Sequence, residues 1–431
     1  MATNNHAFSF PEGEKLSKMG ASWFASYWHY DHCNKNELSW KNCESVSRRI
    51  SYYNKTKQYH DDWRREIMKM DDSNLETNEI GLTGTQVKAL VSEISITAAT
   101  SPITFSQVPP LNINFAQNTF TFHGIGQGLF YSGSIANGGF NFVYDCGSEK
   151  STMLRGVALP FNDLGFVAVS HFHDDHVNGL PDLFRNHRVE KVFLPYFDAH
   201  TYKDVFIANL VLNGIDPSSA AFALLTRLYQ CPVDADLPRW DYDLPEAIFV
   251  DEPGHPYTRD LWEFRFYNRR ISDCEFQYIQ HALNNLLNGQ SIESYISNRN
   301  NYDDLKAIFR RVFSNENLTS LVLLHWNKAN ASVKSLLTGD VCFDQNLSNR
   351  VVSDLETDDT IYLQIPHHGA KNEWDSVDQR ILSRTTAEVI SVGRSNRYHH
   401  PSICKMSDYI STGAIAKIKL VFERNDFSYN C

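Results

Sequence analysis

Apolar residues recur along this chain in two rhythms. Between Asn118 and His123 they alternate with polar ones, the period of a strand with two unlike faces. The segments Leu129 to Gly133, Phe140 to Ser148, Gly165 to Ser170, Arg188 to Pro195, Trp262 to Tyr267, Thr360 to Ile365 and Glu388 to Val392 also read as strands. Val177 to Phe184, Asp204 to Tyr229, Cys274 to Asn288 and Asp303 to Phe313 instead follow the helical period. Strands mixed with helices predict an α/β protein.

The pattern changes before about residue 110. Lys41 to Arg65 lacks Gly and Pro and reads as helical. Ser73 to Thr85 is a polar loop, and Thr97 to Pro110 is a linker ending in Pro109-Pro110. The chain therefore divides into a mainly helical N-terminal extension (1–110) and a larger domain (111–431). The stretch from about 196 to 316 exceeds what one strand–helix unit needs, and is expected to combine part of the scaffold, including the strand Trp262 to Tyr267, with a helical insertion that shapes or covers a cleft.

Composition narrows the class. Charged residues make up 21% and the net charge is −11, which argues against a chain broadly coated for nucleic acid. One local basic run stands out, Lys41 to Arg65, interleaved with Tyr52, Tyr53, Tyr59 and Trp63. It suits a nucleic-acid or partner-protein surface, but a solvated helix face is the commoner meaning of such a run. His29, His32, Cys33 and Cys43 match no standard zinc-finger spacing. The first ten residues lack an apolar signal core, and no stretch is apolar enough to span a membrane. The scattered cysteines include no CxxC pair and look like reduced thiols, so a cytoplasmic location is expected.

Chemistry concentrates in His171-Phe172-His173-Asp174-Asp175-His176, directly after the apolar run that ends at Ser170. A strand end is a rigid mount for ligands. In extended backbone His171 and His173 point to one side, while Asp175 and His176 come later and can face a second position. That spacing suits two metal ions side by side. Asp145, in Asp145-Cys146-Gly147-Ser148, is either a hydrogen-bond partner of a histidine ligand or simply a turn former.

The order Gly126-Gln127-Gly128, Asp145 to Ser148, then the His171 to His176 motif resembles the metallo-β-lactamase fold superfamily. Ser335-Leu336-Leu337-Thr338-Gly339-Asp340 and Ile365-Pro366-His367-His368-Gly369 extend the resemblance, and Asn396 to Ser402 is similar to the branch containing the hydrolase domain of the competence protein ComEC. The resemblance implies an αββα sandwich with the site at one edge, between two sheets. It implies His171 and His173 on one metal, Asp175 and His176 on another, and Asp340 bridging them. One of His367 and His368 would complete the second position. His367 is the expected ligand, with His368 as a substrate-binding or proton-transfer group. Asn317 stands where the family often has a further histidine, as in the ComEC-like branch, and His325 lies too far along its strand to replace it.

The implied cofactors are two divalent ions, zinc or else manganese. Such a pair supplies a metal-bound hydroxide as nucleophile. His400 and His368 would bind a phosphate oxygen or protonate the leaving group. The expected activity is that of a phosphodiesterase or nuclease, acting on nucleic acid or a small phosphodiester. Hydrolysis of a small ester, lactone or phosphorylated metabolite, and a non-catalytic metal-stabilised binding module, are the alternatives.

Overall fold

The computed structural model describes residues 118–430, apart from 136–138, 156, 232, 234–236, 238, 252–253, 269–272, 313–319, 394–399, 403–404, 407, 410–411 and 413. The expected helical extension, the basic run Lys41 to Arg65, and Asn317 lie outside the described residues.

Fourteen strands among the described residues form two sheets. The first contains β1 (Thr119–Phe122), β2 (Phe130–Ile135), β3 (Phe140–Cys146), β4 (Asp163–Ala168), β5 (Arg188–Pro195), β6 (Glu246–Val250) and β14 (Phe427–Asn430), in the order β14-β1-β2-β3-β4-β5-β6. The second contains β7 (His255–Arg259), β8 (Trp262–Tyr267), β9 (Val322–Asn327), β10 (Asn330–Leu337), β11 (Thr360–Gln364), β12 (Thr385–Ser391) and β13 (Ile418–Val421), in the order β13-β12-β11-β10-β9-β8-β7. Each sheet is antiparallel on one side and parallel on the other: β3 to β6 run parallel in the first, and β10 to β13 in the second.

Eleven α-helices among the described residues flank the sheets: α1 (Ser151–Leu154), α2 (Asp174–Val177), α3 (Leu180–Asn186), α4 (Lys203–Leu212), α5 (Ala220–Leu228), α6 (Asp273–Leu287), α7 (Ile292–Ile296), α8 (Tyr302–Val312), α9 (Gln345–Ser353), α10 (Lys371–Ser376) and α11 (Gln379–Leu382).

The apolar runs are explained by strands buried on both faces. Phe142 and Phe166 point into the space between the sheets, whereas their neighbours Val143 and Val167 point into a second core beneath α3 to α8. On the other sheet the alternation repeats: Leu323 faces the space between the sheets, and its neighbours Val322 and Leu324 face a third core beneath α9 to α11. Three cores between four layers make the αββα sandwich. The inter-sheet core is aromatic: Phe142 and Phe264 meet edge to face at 5.1 Å, and Phe193 stacks on Phe266 at 4.1 Å.

The segment from 196 to 316 is not helical throughout. Its strand β6 extends the first sheet, and β7 and β8 build the edge of the second. Burial on both faces of β8 is what ties this piece to the sandwich. Only α4 to α8 form the helical addition, packed in one core on the outer face of the first sheet. The helical period from Asp204 to Tyr229 covers two helices, separated where Gly214 takes a left-handed φ of 87°.

Candidate metal centre

The carboxyl ends of parallel strands from both sheets meet at one edge of the sandwich. There the chain leaves each sheet and side chains can converge without breaking the ladder. Beyond β4, the turn into α2 carries His171 and His173 and α2 itself carries Asp175 and His176; beyond β10 comes Asp340; beyond β11 come His367 and His368. Two groups of donors result. His171, His173 and Asp340 form one, and Asp175, His176 and His368 the other, with the ligating atoms of each group within 4.8 Å of one another. The two carboxylate oxygens of Asp340 are divided between the groups. Its Oδ2 lies 3.6 Å from His171 Nε2, and its Oδ1 lies 3.3 Å from His176 Nε2.

Hydrogen bonds around the groups assign the tautomers. Asp145, fully buried, accepts from the Ser170 backbone N–H at 2.6 Å and from the Ser170 hydroxyl at 2.6 Å. Its Oδ2 is 2.8 Å from His176 Nδ1, which must therefore carry the proton. The Ser170 hydroxyl has its one proton on Asp145, so at 2.9 Å it accepts from His171 Nδ1. His368 Nδ1 donates to the Ser391 carbonyl at 2.8 Å. In neutral His171, His176 and His368 the Nε2 lone pair is thereby turned into the centre. One carboxylate, Asp145, orients a histidine of each group.

That leaves acceptors facing acceptors. His176 Nε2, His368 Nε2 and Asp340 Oδ1 are buried and have no hydrogen-bond partner. His368 Nε2 lies 3.4 Å from Asp175 Oδ2, whereas His171 Nε2 accepts a hydrogen bond from His173 Nδ1 at 2.8 Å. Such a cluster is costly unless a positive charge sits inside it. A proton can serve: burial disfavours charge on His176, but Asp340 and Asp145 outweigh it and hold its pKa well above the ordinary value. Burial pushes Asp340 the other way, yet the surrounding imidazoles, His176 first, hold its carboxyl well below the usual range. A divalent ion satisfies the same atoms better, because it neutralises several lone pairs at once. Two imidazoles and one carboxylate per group is a donor set suited to zinc, and manganese also accepts it.

The backbone is shaped to bring these elements together. Gly147 lies so close to α2 that a Cβ there would sit 2.3 Å from the His176 backbone nitrogen. His367 and His368 both take left-handed backbone, with φ of 49° and 54°. Two consecutive non-glycine residues in that region are strained, and such strain clusters at functional sites. The Asp340 turn is pinned by Gln364, whose Oε1 accepts from the backbone N–H groups of Thr338 (2.7 Å) and Gly339 (2.8 Å), while its amide donates to the Gly339 carbonyl at 2.9 Å.

The geometry differs from expectation in the histidine pair. It is His368 that joins Asp175 and His176, with its ring buried and its Nδ1 held by the Ser391 carbonyl. His367 stands at the mouth with its side chain 30% exposed, its Nε2 3.9 Å from Asp340 Oδ2 and its Nδ1 3.3 Å from Glu373 Oε1. Burial lowers the His367 pKa, but Asp340 and Glu373 more than offset this and raise it to about 9. The ring of His400 is 5.2 Å from that of His367. Burial first, then the nearby His367 and His368, push the His400 pKa down to about 3. Asn396 to His399, before it, lie outside the described residues. His325 is in the inter-sheet core, away from the centre, as its position in the strand predicted.

Sequence reasoning missed Ser170, Gln364 and Glu373. Gln364 carried a usable signal: a polar residue ending an otherwise apolar strand is buried at a cost unless it bonds something specific. Ser170 and Glu373 carried none, since their partners come from distant segments or from the local backbone path.

No helix among the described residues is long and apolar enough to cross a membrane. Residues 129–202, which hold the histidine loop, match the family described as Anti-Pycsar protein Apyc1. A ribonuclease Z from Agathobacter rectalis is 32% identical over 50 residues, 12% of this chain and 16% of that protein, so the chain matches only a small part of its relative. Among solved structures, the metallo-β-lactamase fold protein YhfI from Bacillus subtilis is 10% identical, with 72% of this chain and 99% of that one covered and a TM-score of 0.37. The human tRNase Z short form is 12% identical, over 72% and 98% of the two chains, also with a TM-score of 0.37. Two mixed sheets back to back, helices on both outer faces and the histidine–aspartate cluster at the carboxyl ends of the parallel strands make this chain an αββα sandwich, the architecture expected from the metallo-β-lactamase resemblance.

Proposed function

We propose that this protein is a metal-dependent hydrolase of phosphodiester bonds. The observation that carries this reading is the pair of inward-facing donor groups, whose buried His176, His368 and Asp340 atoms have no hydrogen-bond partner. His171, His173 and Asp340 would hold one divalent ion; Asp175, His176 and His368 would hold the second, with Asp340 between them. His368 is thus proposed as the ligand and His367 as the group facing substrate, the reverse of the assignment expected from sequence.

When bound, paired divalent ions acidify water and offset negative charge developing on a phosphoryl group. The chain's own residues do the rest. Asp145 and the Ser391 carbonyl keep protons on the Nδ1 atoms of His176 and His368, so the opposite nitrogens stay available. His367, partly in solvent and oriented by Glu373, is suited to hold a phosphoryl oxygen or pass a proton to the leaving oxygen. His400 packs its ring edge to face beside that of His367, 5.2 Å away.

Phosphodiesters are favoured over carboxylic esters and lactones by the two donor sets side by side, which suit an in-line displacement with two charged oxygens to clamp. The local likeness to a ribonuclease adds support. A ComEC-like affiliation rests on the Asn396 to Ser402 motif and stays with this proposal, as do zinc as the native metal and nucleic acid as the substrate. The test is hydrolysis of bis(p-nitrophenyl) phosphate, of single-stranded RNA and DNA, and of a lactone, by full-length protein loaded with zinc or manganese. The expected result is metal-dependent cleavage of phosphodiesters. Cleavage of the lactone alone, or equal rates with and without chelator, would overturn it.

A further inference from the structure

Consecutive residues of an extended chain point to opposite sides, so a residue between two inward-facing histidines must point away from the metal centre. Here that residue is Phe172, only 4% exposed. Its ring meets Phe206 of α4 edge to face at 5.8 Å and Tyr229, just after α5, edge to face at 5.5 Å. Phe206 and Tyr229 are themselves 4.6 Å apart. The Tyr229 hydroxyl donates to the Pro195 carbonyl at the end of β5, which anchors this aromatic trio to the first sheet. The backbone is tied at the same place: Asp174 N–H donates to the carbonyl of Asn213, the residue that ends α4, at 3.0 Å. The histidine loop is therefore seated on the helical addition by a ring between its two first histidines and by a hydrogen bond close beside it.

We infer that Phe172 is a positioning residue for His171 and His173, and that helices α4 and α5 set the metal affinity of the first donor group through it. The inference rests on the metal-binding reading above. Binding free energies are reciprocal, so an ion that fixes the loop must also stabilise the helices against opening. A phenylalanine that only filled the core would lower stability and leave metal affinity alone.

Full-length protein is titrated with zinc ions against a competing chelator, and its amide hydrogen exchange is followed with and without zinc. Phe172→Leu keeps an apolar side chain but loses the ring contacts. It is expected to weaken zinc binding at one site about tenfold, the lower end of what outer-layer contacts contribute to metal affinity, with the far-ultraviolet circular dichroism unchanged. Phe206→Leu, outside the loop, is expected to weaken it in the same direction by less. Val351→Ala, in the core beneath α9, should lower stability without changing zinc affinity. In the unmodified protein, zinc should slow exchange in 203–212 and 220–228 more than in 345–353. Unchanged affinity in a folded Phe172→Leu protein, or zinc protection confined to 171–177, overturns the inference. Should Phe172→Leu fail to fold, Phe206→Leu and the exchange measurement decide alone. Failure of the unmodified protein to bind zinc would remove the metal reading and this inference together, whereas tight binding that neither aromatic variant disturbs removes only the latter.

Discussion

His176 and His325 are both fully buried imidazoles, and the contrast between their surroundings separates a candidate ligand from a packing residue. His176 gives its Nδ1 proton to Asp145 and aims Nε2 at Asp340 Oδ1, 3.3 Å away, among other acceptors. His325 lies between the sheets, its ring 5.0 Å from Phe120 and 5.2 Å from Phe142. Its Nε2 is 2.9 Å from the Tyr131 hydroxyl, which continues to Tyr429 and from there to Ser335. Both rings leave one nitrogen without a partner. Around His176 that nitrogen converges on other donors, and charge raises its pKa; around His325 it meets rings, and burial alone lowers the pKa to about 3. Burial of a histidine therefore says little about function. Convergence of its free nitrogen with carboxylates says much more.

The sharpest way to break this contrast is to remove the carboxylate on which both donor groups converge. Asp340→Asn should cut metal-dependent phosphodiester hydrolysis by about a thousandfold or more, roughly 4 kcal/mol of transition-state stabilisation. It should also abolish the loss of thermal stability that a chelator causes in the unmodified protein. Activity assays and melting curves with and without chelator check both; a variant retaining near-normal rates would dissociate Asp340 from the chemistry.

Asp145→Asn tests the layer behind the candidate ligands. An amide nitrogen facing His176 Nδ1 would demand the other tautomer and put a proton on Nε2. An amide oxygen there would keep the bond but not the charge. Metal affinity is expected to fall about 10- to 100-fold, read by chelator competition. Unchanged affinity would reduce Asp145 to the turn former that the sequence equally allowed.

The smallest effect tests the other side of the comparison. His325 is neutral when folded, with a pKa of about 3, against about 6.5 when unfolded. Between those values the unfolded chain binds the extra proton, so stability is intact above pH 6.5 and is lost as pH falls towards 3. At pH 4.5 the loss from this group alone is about 3 kcal/mol, at roughly 1.4 kcal/mol per unit. His325→Phe should flatten that part of the stability–pH curve in urea unfolding and leave metal affinity untouched. A change in metal affinity would mean that the two regions are not independent.

Much of this molecule was legible in its residues. The strands Trp262 to Tyr267 and Arg188 to Pro195 begin and end where the apolar pattern predicted; the first is buried on both faces, and the second over its C-terminal half. The candidate donors of His171 to His176 stood out because such residue types are rare in that density at a strand end, and Asp340 was singled out by the motif resemblance. Of the strands within 196–316 only β8 was legible; β6 and β7 pair with partners remote in sequence, so nothing local marked them as strands.

The sequence by itself determined the α/β class and which residue types could gather a metal, since periodicity and donor chemistry are local properties; the sandwich was what the motif resemblance implied. Only the tertiary structure decided which nitrogen of each histidine is free, that His368 turns inward while His367 stays at the mouth, and that Asp145 serves both donor groups. Those outcomes depend on backbone path and on partners brought together from both sheets. They also depend on the helices behind Phe172. No spacing along the chain encodes such distances.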